Sequence, residues 1–272
     1  QLVSTVLLKS DQKLTIINQY IWPTLIYPLQ CAPLHCLSPK FLEDVDRIIR
    51  SSIKEILNLP SDIPSTMLYS SRTHRGLGLI RATWEASLQH FNITKKLENA
   101  NDPFIAATRL LKDEQKLCLH NLHLDENTHI TSNSKTLRTV LRKKSFDEWC
   151  QLPHKGKGVA LFGEVHTMNR WMQTRAGIST TEWTTAIKLN TNTVPVRSIP
   201  GRSHDNRCRH ISCNEIETLG HVLGSCPKND LLRNVRHHKV RTMIADAFRK
   251  LQWEVHEEIS CISEEGSLRR VD

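Results

Sequence analysis

The sequence contains no apolar run long enough to cross a membrane. Its best candidate, residues 20–29 (YIWPTLIYPL), is interrupted by Pro23 and Pro28, whereas a spanning helix needs about 20 apolar residues. The opening QLVSTVLLKSDQK has neither a starting Met nor a basic segment before an apolar one, so no signal peptide is predicted. There is also no internal repeat or low-complexity tract. These absences argue against a membrane-spanning protein, a secreted precursor and a repeat array.

Cysteine is scarce and unevenly placed. Eight cysteines in 272 residues are too few for a disulfide-stapled secreted scaffold, and three of them fall between residues 208 and 226. This distribution favours a reducing compartment with one local metal site.

Negative charge is in deficit. Lys and Arg number 37 against 28 Asp and Glu, a formal charge of +9, with 14 histidines besides. Nucleic acid is the commonest polyanionic partner of such a surface, although charge alone leaves an unrelated basic protein open. The length favours two modest domains over one.

The periodicity predicts a mainly α fold, helical from about Leu14 to Leu124. The strongest signal is the segment SPKFLEDVDRIIRSSIKEILNLP, where apolar residues recur every three or four positions. Ser38 suits an N-cap, Pro39 the first helical position and Pro60 the residue just past the end.

A glycine turn surrounded by arginines follows this helix. Gly76 and Gly78 give the backbone freedom, and Arg72, Arg75 and Arg81 flank them. The turn can approach a phosphate backbone closely, or it is an ordinary turn between helices.

Residues 134–173 mix basic and aromatic side chains. The large aromatics are Phe146, Trp149, Phe162 and Trp171. They fit a nucleic-acid surface, but core packing is the more usual role of such residues. The loop HKGKG, with Lys155 and Lys157, is predicted to be exposed.

The strongest chemical signal is Cys208-x4-Cys213-x7-His221-x4-Cys226. Three thiolates and one imidazole satisfy tetrahedral zinc and leave no open position, so the predicted site is structural. A helix beginning near Thr218 would turn His221 and Cys226 toward the first pair. The alternative is ordinary buried thiols beside a surface histidine.

The other cysteines are predicted to be packed thiols. Cys31 and Cys36 share the x4 spacing but lie in an apolar segment between prolines, and Cys118, Cys150 and Cys261 are isolated.

A basic helix is predicted directly after the metal motif. The segment PKNDLLRNVRHHKVRTMIADAFRKLQW is interpreted as amphipathic. Its polar face carries Arg233, Arg236, His237, Lys239 and Arg241. A basic helix beside a zinc fold is a common nucleic-acid-binding arrangement, and a solvated helix face is the alternative.

Several of these pieces together resemble one family. CRHISC and ETLGHVLGSCPKNDLLRNVRHHKV resemble the zinc knuckle of reverse transcriptases from site-specific (R-two-type) retrotransposons without long terminal repeats, the clade that inserts into ribosomal RNA genes. GKGVALF, NRWM and WTTAIKLNTNTVPVRS resemble its linker, and LPSDIPSTMLYSSRTHRGLGL its thumb. The chain departs from the family pattern at Asn190, usually Arg, and at Arg75, usually Gly.

The resemblance implies an architecture of four parts within a longer Pol polyprotein. These are a thumb-like helical region (1–124), a basic helical linker (125–200), a CCHC zinc knuckle with its basic helix (201–256) and the truncated start of an endonuclease-like region (257–272). Neither terminus looks like a natural chain end, so we expect a piece of something longer. No Tyr/Phe-Ala-Asp-Asp motif occurs, and the nearest carboxylate cluster, EDVD at residues 43–46, is interpreted as helix-surface charge. No catalytic residue is predicted.

The implied function is to grip template, primer and target during target-primed reverse transcription. The implied partners are RNA, DNA and the remainder of the polyprotein, with no membrane, one structural Zn²⁺, and a nuclear location with a cytoplasmic stage during particle assembly. The alternative is a domesticated or degenerate, non-enzymatic, zinc-dependent nucleic-acid-binding protein. The residues predicted to contact nucleic acid are Arg72, Arg75, Arg81, Lys155, Lys157, Lys188, Arg197, Arg233, Arg236, Lys239 and Arg241.

Overall fold

The computed structural model describes residues 6–100, 103, 110–129, 132–163, 165–173, 177–201, 203–262 and 268–271. The chain divides into two compact units, Gln1–Val194 and Pro195–Asp272. The described chain is mainly helical, which confirms the predicted fold class. The finer four-part division stays a prediction.

The first helical run continues through its prolines. Helix α1 (Ser10–Ile16) passes through a π-helical turn (Ile17–Ile21) into α2 (Trp22–Cys31). Pro23 lies just after the π-helical turn. Proline has no amide hydrogen, and this wide turn accommodates it without ending the helical run.

Helix α3 (Pro39–Ile56) forms where the periodicity predicted it. Ser38 Oγ accepts a hydrogen bond from the Phe41 amide at 3.1 Å, which confirms the N-cap. Ile53 and Leu57 are buried, whereas Ile48 is 60% exposed, so the buried face is narrower than the apolar stripe.

Asp46 corrects the interpretation of EDVD as surface charge. It is 1% exposed, and its carboxylate accepts hydrogen bonds from the amides of Ala82 at 2.6 Å and Thr83 at 3.1 Å. These amides open helix α5 (Ala82–Glu98), so Asp46 caps that helix from α3. Local sequence cannot reveal this role because the capped amides lie 36 and 37 residues away.

Short elements connect the longer helices of the first unit. Helix α4 (Ser65–Tyr69) and a 3₁₀ turn (Arg72–His74) lie between α3 and α5. The elements that follow are α6 (Leu110–Asn121), α7 (Glu126–His129), α8 (Ser134–Cys150), α9 (Val159–Gly163), a 3₁₀ turn (His166–Asn169), α10 (Arg170–Gln173) and α11 (Thr180–Asn190).

The first unit contains two apolar clusters. The larger joins α1 to α5 with α8 and α11, and Phe146, Trp149 and Trp183 are buried in it. Trp171 packs against the same cluster, so the core interpretation holds for three of the four predicted aromatics; the side chain of Phe162 lies outside the described residues. The smaller cluster joins α5, α6 and α8.

The isolated cysteines divide between core and surface. Cys118 is buried, as predicted, and burial raises the pKa of its thiol to about 12. Cys31 and Cys36 are exposed, so their prediction as packed thiols is wrong. Cys31 is the last residue of α2, and Cys36 is the last residue of the 3₁₀ turn (Leu34–Cys36) before α3. Cys150 is half-buried, and the side chain of Cys261 lies outside the described residues.

The second unit begins with a loop and a small hairpin, continues into a long helix and ends in a pair of short strands. A π-helical turn (His221–Ser225) and a 3₁₀ turn (Pro227–Asn229) lead into α12 (Asp230–Lys250). Strands β1 (Ile259–Ile262) and β2 (Leu268–Val271) then pair antiparallel, with Ile259 opposite Val271. The endonuclease-like assignment of residues 257–272 stays a prediction, and residues 263–267 and 272 lie outside the described part. No helix that the structure describes is both long enough and apolar enough for a membrane span.

Candidate metal centre and nucleic-acid interface

A short hairpin positions the first two cysteines. Arg207 and Ile216 form an antiparallel bridge, and the Cys208 amide donates to the Glu215 carbonyl at 2.8 Å. At the tip, the Cys213 amide donates to the carbonyl of His210 at 2.8 Å, which closes a tight turn. Both thiols are thereby directed to one side of the hairpin.

A helical turn brings the other two donors to the same place. The side chain of Thr218 accepts a hydrogen bond from the His221 amide at 3.0 Å and begins the turn. The Cys226 amide donates to the His221 carbonyl at 2.8 Å and closes it. The predicted helix start near Thr218 is therefore present.

The four predicted donors converge in a buried cluster. Their ligand atoms all lie within 4.8 Å of one another, and the four residues are 1–8% exposed. Cys208 Sγ lies 3.8 Å from Cys226 Sγ, and Cys213 Sγ lies 3.4 Å from His221 Nε2. This group can hold a metal ion, and its four protein donors would complete a tetrahedral shell.

The electrostatics of the cluster suit a cation. Burial raises the pKa of the Cys226 thiol, and the neighbouring Cys208 raises it further. Adjacent thiolates repel one another, and a bound cation removes that repulsion.

Glu217 ties the hairpin to the segment before it. Its buried carboxylate accepts hydrogen bonds from the backbone amides of Arg197 and Arg209, both at 3.0 Å. Burial alone would raise the pKa of Glu217, but these amide bonds and the nearby arginines outweigh it, and the net pKa is lowered. Sequence reasoning missed this residue.

Four of the predicted nucleic-acid contacts are neutralised within the chain. Arg81 approaches Glu43 at 3.3 Å, Lys155 approaches Asp62, Arg233 approaches Asp230, and Arg241 approaches Glu257 and Glu258. Such pairs reduce the charge offered to a ligand.

Five other predicted contacts carry charge without an ion pair to any residue that the structure describes. They are Lys157, Lys188, Arg197, Arg236 and Lys239. Lys157 is exposed in the HKGKG loop, as predicted, whereas Gly156 in the same loop is buried against the Trp149 carbonyl. Arg236 donates to the Leu223 carbonyl at 2.9 Å, which ties α12 to the helical turn of the metal cluster.

Neutral oxygens accept hydrogen bonds from Arg72 and Arg75, two of the three arginines of the glycine turn. Arg72 Nε donates to the Leu77 carbonyl at 3.2 Å. Arg75, whose φ is +64°, donates to the side-chain oxygens of Asn169 at 2.7 Å and Asn190 at 3.0 Å. The neutral Leu77 carbonyl orients the guanidinium of Arg72 but leaves its charge in place. Asn169 lies 94 residues from Arg75. It opens the motif NRWM, but that motif gave no indication of this contact.

Helix α12 is present, but its predicted amphipathic character is wrong. At about 100° per residue, Leu231 and Val235 lie on one side, Ile244 lies on nearly the opposite side, and Met243 lies between them. All four are more than half exposed, and among the described residues of the helix only Ala245 is buried. The apolar stripe changes sides midway, so no single polar face exists.

Comparison with known proteins identifies relatives of one kind. No protein-family model matches the chain. It is 26% identical over 268 residues to "Retrovirus-related Pol polyprotein from type-1 retrotransposable element R2" of Popillia japonica, which covers 97% of this chain and 53% of that protein.

Two further matches come from other species. "Retrovirus-related Pol polyprotein from type-2 retrotransposable element R2DM" of Drosophila melanogaster is 24% identical over 241 residues, covering 86% of this chain and 22% of that protein. The type-1 R2 polyprotein of Nasonia vitripennis is 24% identical over 283 residues, which cover 100% of this chain and 25% of that protein. The chain thus spans about half the length of the first relative and about a quarter of the other two. The resemblance inferred from the motifs is confirmed: over nearly its whole length, the chain is homologous to the Pol polyproteins of R2 retrotransposable elements.

Proposed function

We propose that this chain is the nucleic-acid-holding part of an R2-type retrotransposon reverse transcriptase and that a structural zinc ion folds its knuckle. The observation that carries the proposal is the convergence of three thiols and one imidazole, all buried, from residues 208–226, with the basic helix α12 directly after them. In the homologous polyproteins this segment is one part of a longer chain. Polymerisation and DNA cleavage are assigned to the remainder of the polyprotein.

Zinc is the metal that best fits the donor distances. Two thiolates at about 2.3 Å from a tetrahedral zinc are about 3.8 Å apart. The Cys208 and Cys226 sulfurs are 3.8 Å apart. Three thiolates and an imidazole also favour zinc over the oxygen-seeking cations Mg²⁺ and Ca²⁺. The bound ion would supply folding free energy to a unit with little apolar core.

Nucleic acid is proposed as the ligand of the basic surface. The first unit would grip the primer–template duplex with phosphate contacts from the turn at residues 72–81. The linker and knuckle would hold element RNA or target DNA. Such contacts release counterions, so the affinity would fall steeply with salt, by about 0.7–0.9 logarithmic units per phosphate for each tenfold rise. A nuclear location, with a cytoplasmic stage during particle assembly, follows as part of the proposal.

The test measures zinc and nucleic-acid binding on the same preparations. We expect about one zinc per purified chain and salt-dependent binding to duplex DNA and structured RNA by fluorescence anisotropy. The double variant Cys213→Ser, Cys226→Ser should lose the zinc and weaken binding. The matched control is Cys31→Ser, Cys36→Ser, because these cysteines share the x4 spacing but are exposed and lie outside the cluster.

Two results would contradict the proposal in different ways. A wild-type chain without zinc would remove the structural role of the metal. A zinc-loaded chain whose binding to both nucleic acids is absent or insensitive to salt would remove the nucleic-acid function and leave a zinc-stabilised helical protein.

A further inference from the structure

We propose that Arg72 and Arg142 form an anion site that takes one phosphate group of a nucleic-acid backbone. Arg142 belongs to α8 and was not among the residues that the sequence predicted to contact nucleic acid. The inference rests on the proposed function and adds to it a specific contact point in the first unit.

Two neighbouring carbonyls hold the two guanidiniums. Arg72 Nε donates to the Leu77 carbonyl at 3.2 Å, and Arg142 Nη2 donates to the next carbonyl, that of Gly78, also at 3.2 Å. Both arginines therefore flank the same short stretch of backbone. Gly78 adopts a φ of +65° there, and the side chain of Arg72 runs past its Cα. The site is thus built by the glycine turn and the middle of α8 together.

The local charge balance is positive. Arg138, one turn before Arg142, binds Glu85 through two hydrogen bonds of 2.7 and 2.9 Å, and Gln89 also donates to that carboxylate at 2.9 Å. Glu85 is thus already occupied by other donors. Among the described residues, neither Arg72 nor Arg142 forms an ion pair with a carboxylate. The charge of Asp11 attracts Arg72 and partly offsets the lowering of its pKa.

Burial makes this arrangement costly in the absence of an anion. The pKa of Arg142 is lowered by burial first, and then by repulsion from Arg138 and Arg72, which outweighs the attraction of Glu85. Burial likewise lowers the pKa of Arg72. The Nε of Arg142 is buried and has no hydrogen-bond partner in the described structure. A phosphate would relieve the repulsion between the guanidiniums and match their planar donor geometry.

The first experiment compares salt dependence in three chains. Wild type, Arg142→Gln and the control Arg47→Gln are titrated with duplex DNA and with structured RNA over a range of salt concentrations. Arg47 is exposed and paired with Asp44 on the surface of α3, so its loss should leave the salt dependence unchanged. We expect Arg142→Gln to reduce the slope of log affinity against log salt by about one phosphate contact, 0.7–0.9.

The second experiment separates an anion site from a structural role. Inorganic phosphate should raise the Tm of wild type and of Arg47→Gln but not that of Arg142→Gln. In phosphate-free buffer Arg142→Gln should melt close to wild type, because relief of charge repulsion offsets the lost hydrogen bond to Gly78. Arg142→Lys should keep most of the salt slope, since the charge remains, but bind more weakly than wild type.

The outcomes are distinguishable. If wild type binds nucleic acid with a steep salt dependence and Arg142→Gln has the same slope as Arg47→Gln, the inference fails while the proposed function stands. A different outcome is that inorganic phosphate raises the Tm of wild type but not of Arg142→Gln, while the slope of log nucleic-acid affinity against log salt is the same in both. That result overturns the nucleic-acid assignment in favour of a free phosphate-bearing ligand. If Arg142→Gln melts well below wild type and phosphate has no effect on either, the residue is structural.

Discussion

At the scale of single residues, two buried carboxylates organise the backbone of this protein. Asp46 accepts hydrogen bonds from the first backbone amides of α5. Glu217 accepts hydrogen bonds from the backbone amides of Arg197 and Arg209 beside the metal cluster. In the sequence, both residues have charged neighbours, and no local pattern distinguishes their carboxylates from solvent-exposed ones. Their roles depend on contacts across 8 to 37 residues, which a periodicity argument does not see.

Removal of the Asp46 carboxylate should destabilise the first unit. Asp46→Ala leaves buried amides of α5 without acceptors, so we expect a loss of about 1–3 kcal/mol in the free energy of unfolding. Asp46→Asn keeps one acceptor oxygen and should lose less. The control is Asp44→Asn on the exposed side of the same helix, with an effect within about 0.5 kcal/mol. Denaturant unfolding measures all three, and equal effects for Asp44 and Asp46 would contradict the capping role.

The same residue should give a measurable pH dependence. Burial raises the pKa of Asp46 above 3.8, and this outweighs the opposing effects of the Ala82 and Thr83 amides and of Arg81. The folded state therefore holds the proton more tightly than the unfolded state. The stability of wild type relative to Asp46→Asn should be greatest below pH 3.8 and decline as the pH rises through the higher folded-state value. Parallel unfolding titrations of the two proteins test the sign.

At the scale of elements, the sequence predicted best where the determinants are local. Helix α3 has a periodic stripe, a serine cap and flanking prolines within one window, and the metal cluster has all four donors between residues 208 and 226. The prediction failed where it rested on composition alone. Helix α12 contains enough apolar residues for a buried face, but these residues change from one side of the helix to the other midway along it. The turn holding Arg75 was predicted, whereas its acceptor Asn169 was not, because the two meet only after the chain has folded.

The glycine turn offers a sharp steric test. A Cβ at Gly76 would lie 2.0 Å from the Ser70 carbonyl oxygen, which is backbone and cannot rotate away. We expect Gly76→Ala to cost about 1–3 kcal/mol of stability and to displace the arginines of the turn. Gly158→Ala is the comparison, because its Cβ would meet nothing within 4 Å although its φ is +81°. It should lose only about 1 kcal/mol from backbone strain; an equal or larger loss there would contradict the steric account.

At the scale of the whole molecule, the two units differ in what holds them together. The first unit has two extensive apolar clusters. In the described part of the second unit, the buried apolar side chains are Val196, Ala245 and the three clustered cysteines. So small a core cannot offset the conformational entropy of folding without additional stabilisation.

Chelation should therefore melt one unit and spare the other. We expect a strong zinc chelator to abolish amide-exchange protection across residues 203–229 while leaving residues 39–98 protected, and added zinc should restore it. Hydrogen exchange followed by mass spectrometry resolves the two regions. Loss of protection throughout, or in neither region, would contradict an independent metal-dependent unit.

The compact spacing of the four donors also bears on the order of events during synthesis. The donors fall between residues 208 and 226, so a metal ion joining them closes only short loops, and the entropy of loop closure grows with loop length. All four donors have emerged from the ribosome once Cys226 has emerged, and the residues of α12 emerge after them. The knuckle can therefore take up its ion cotranslationally, and α12 then begins from a support that is already rigid.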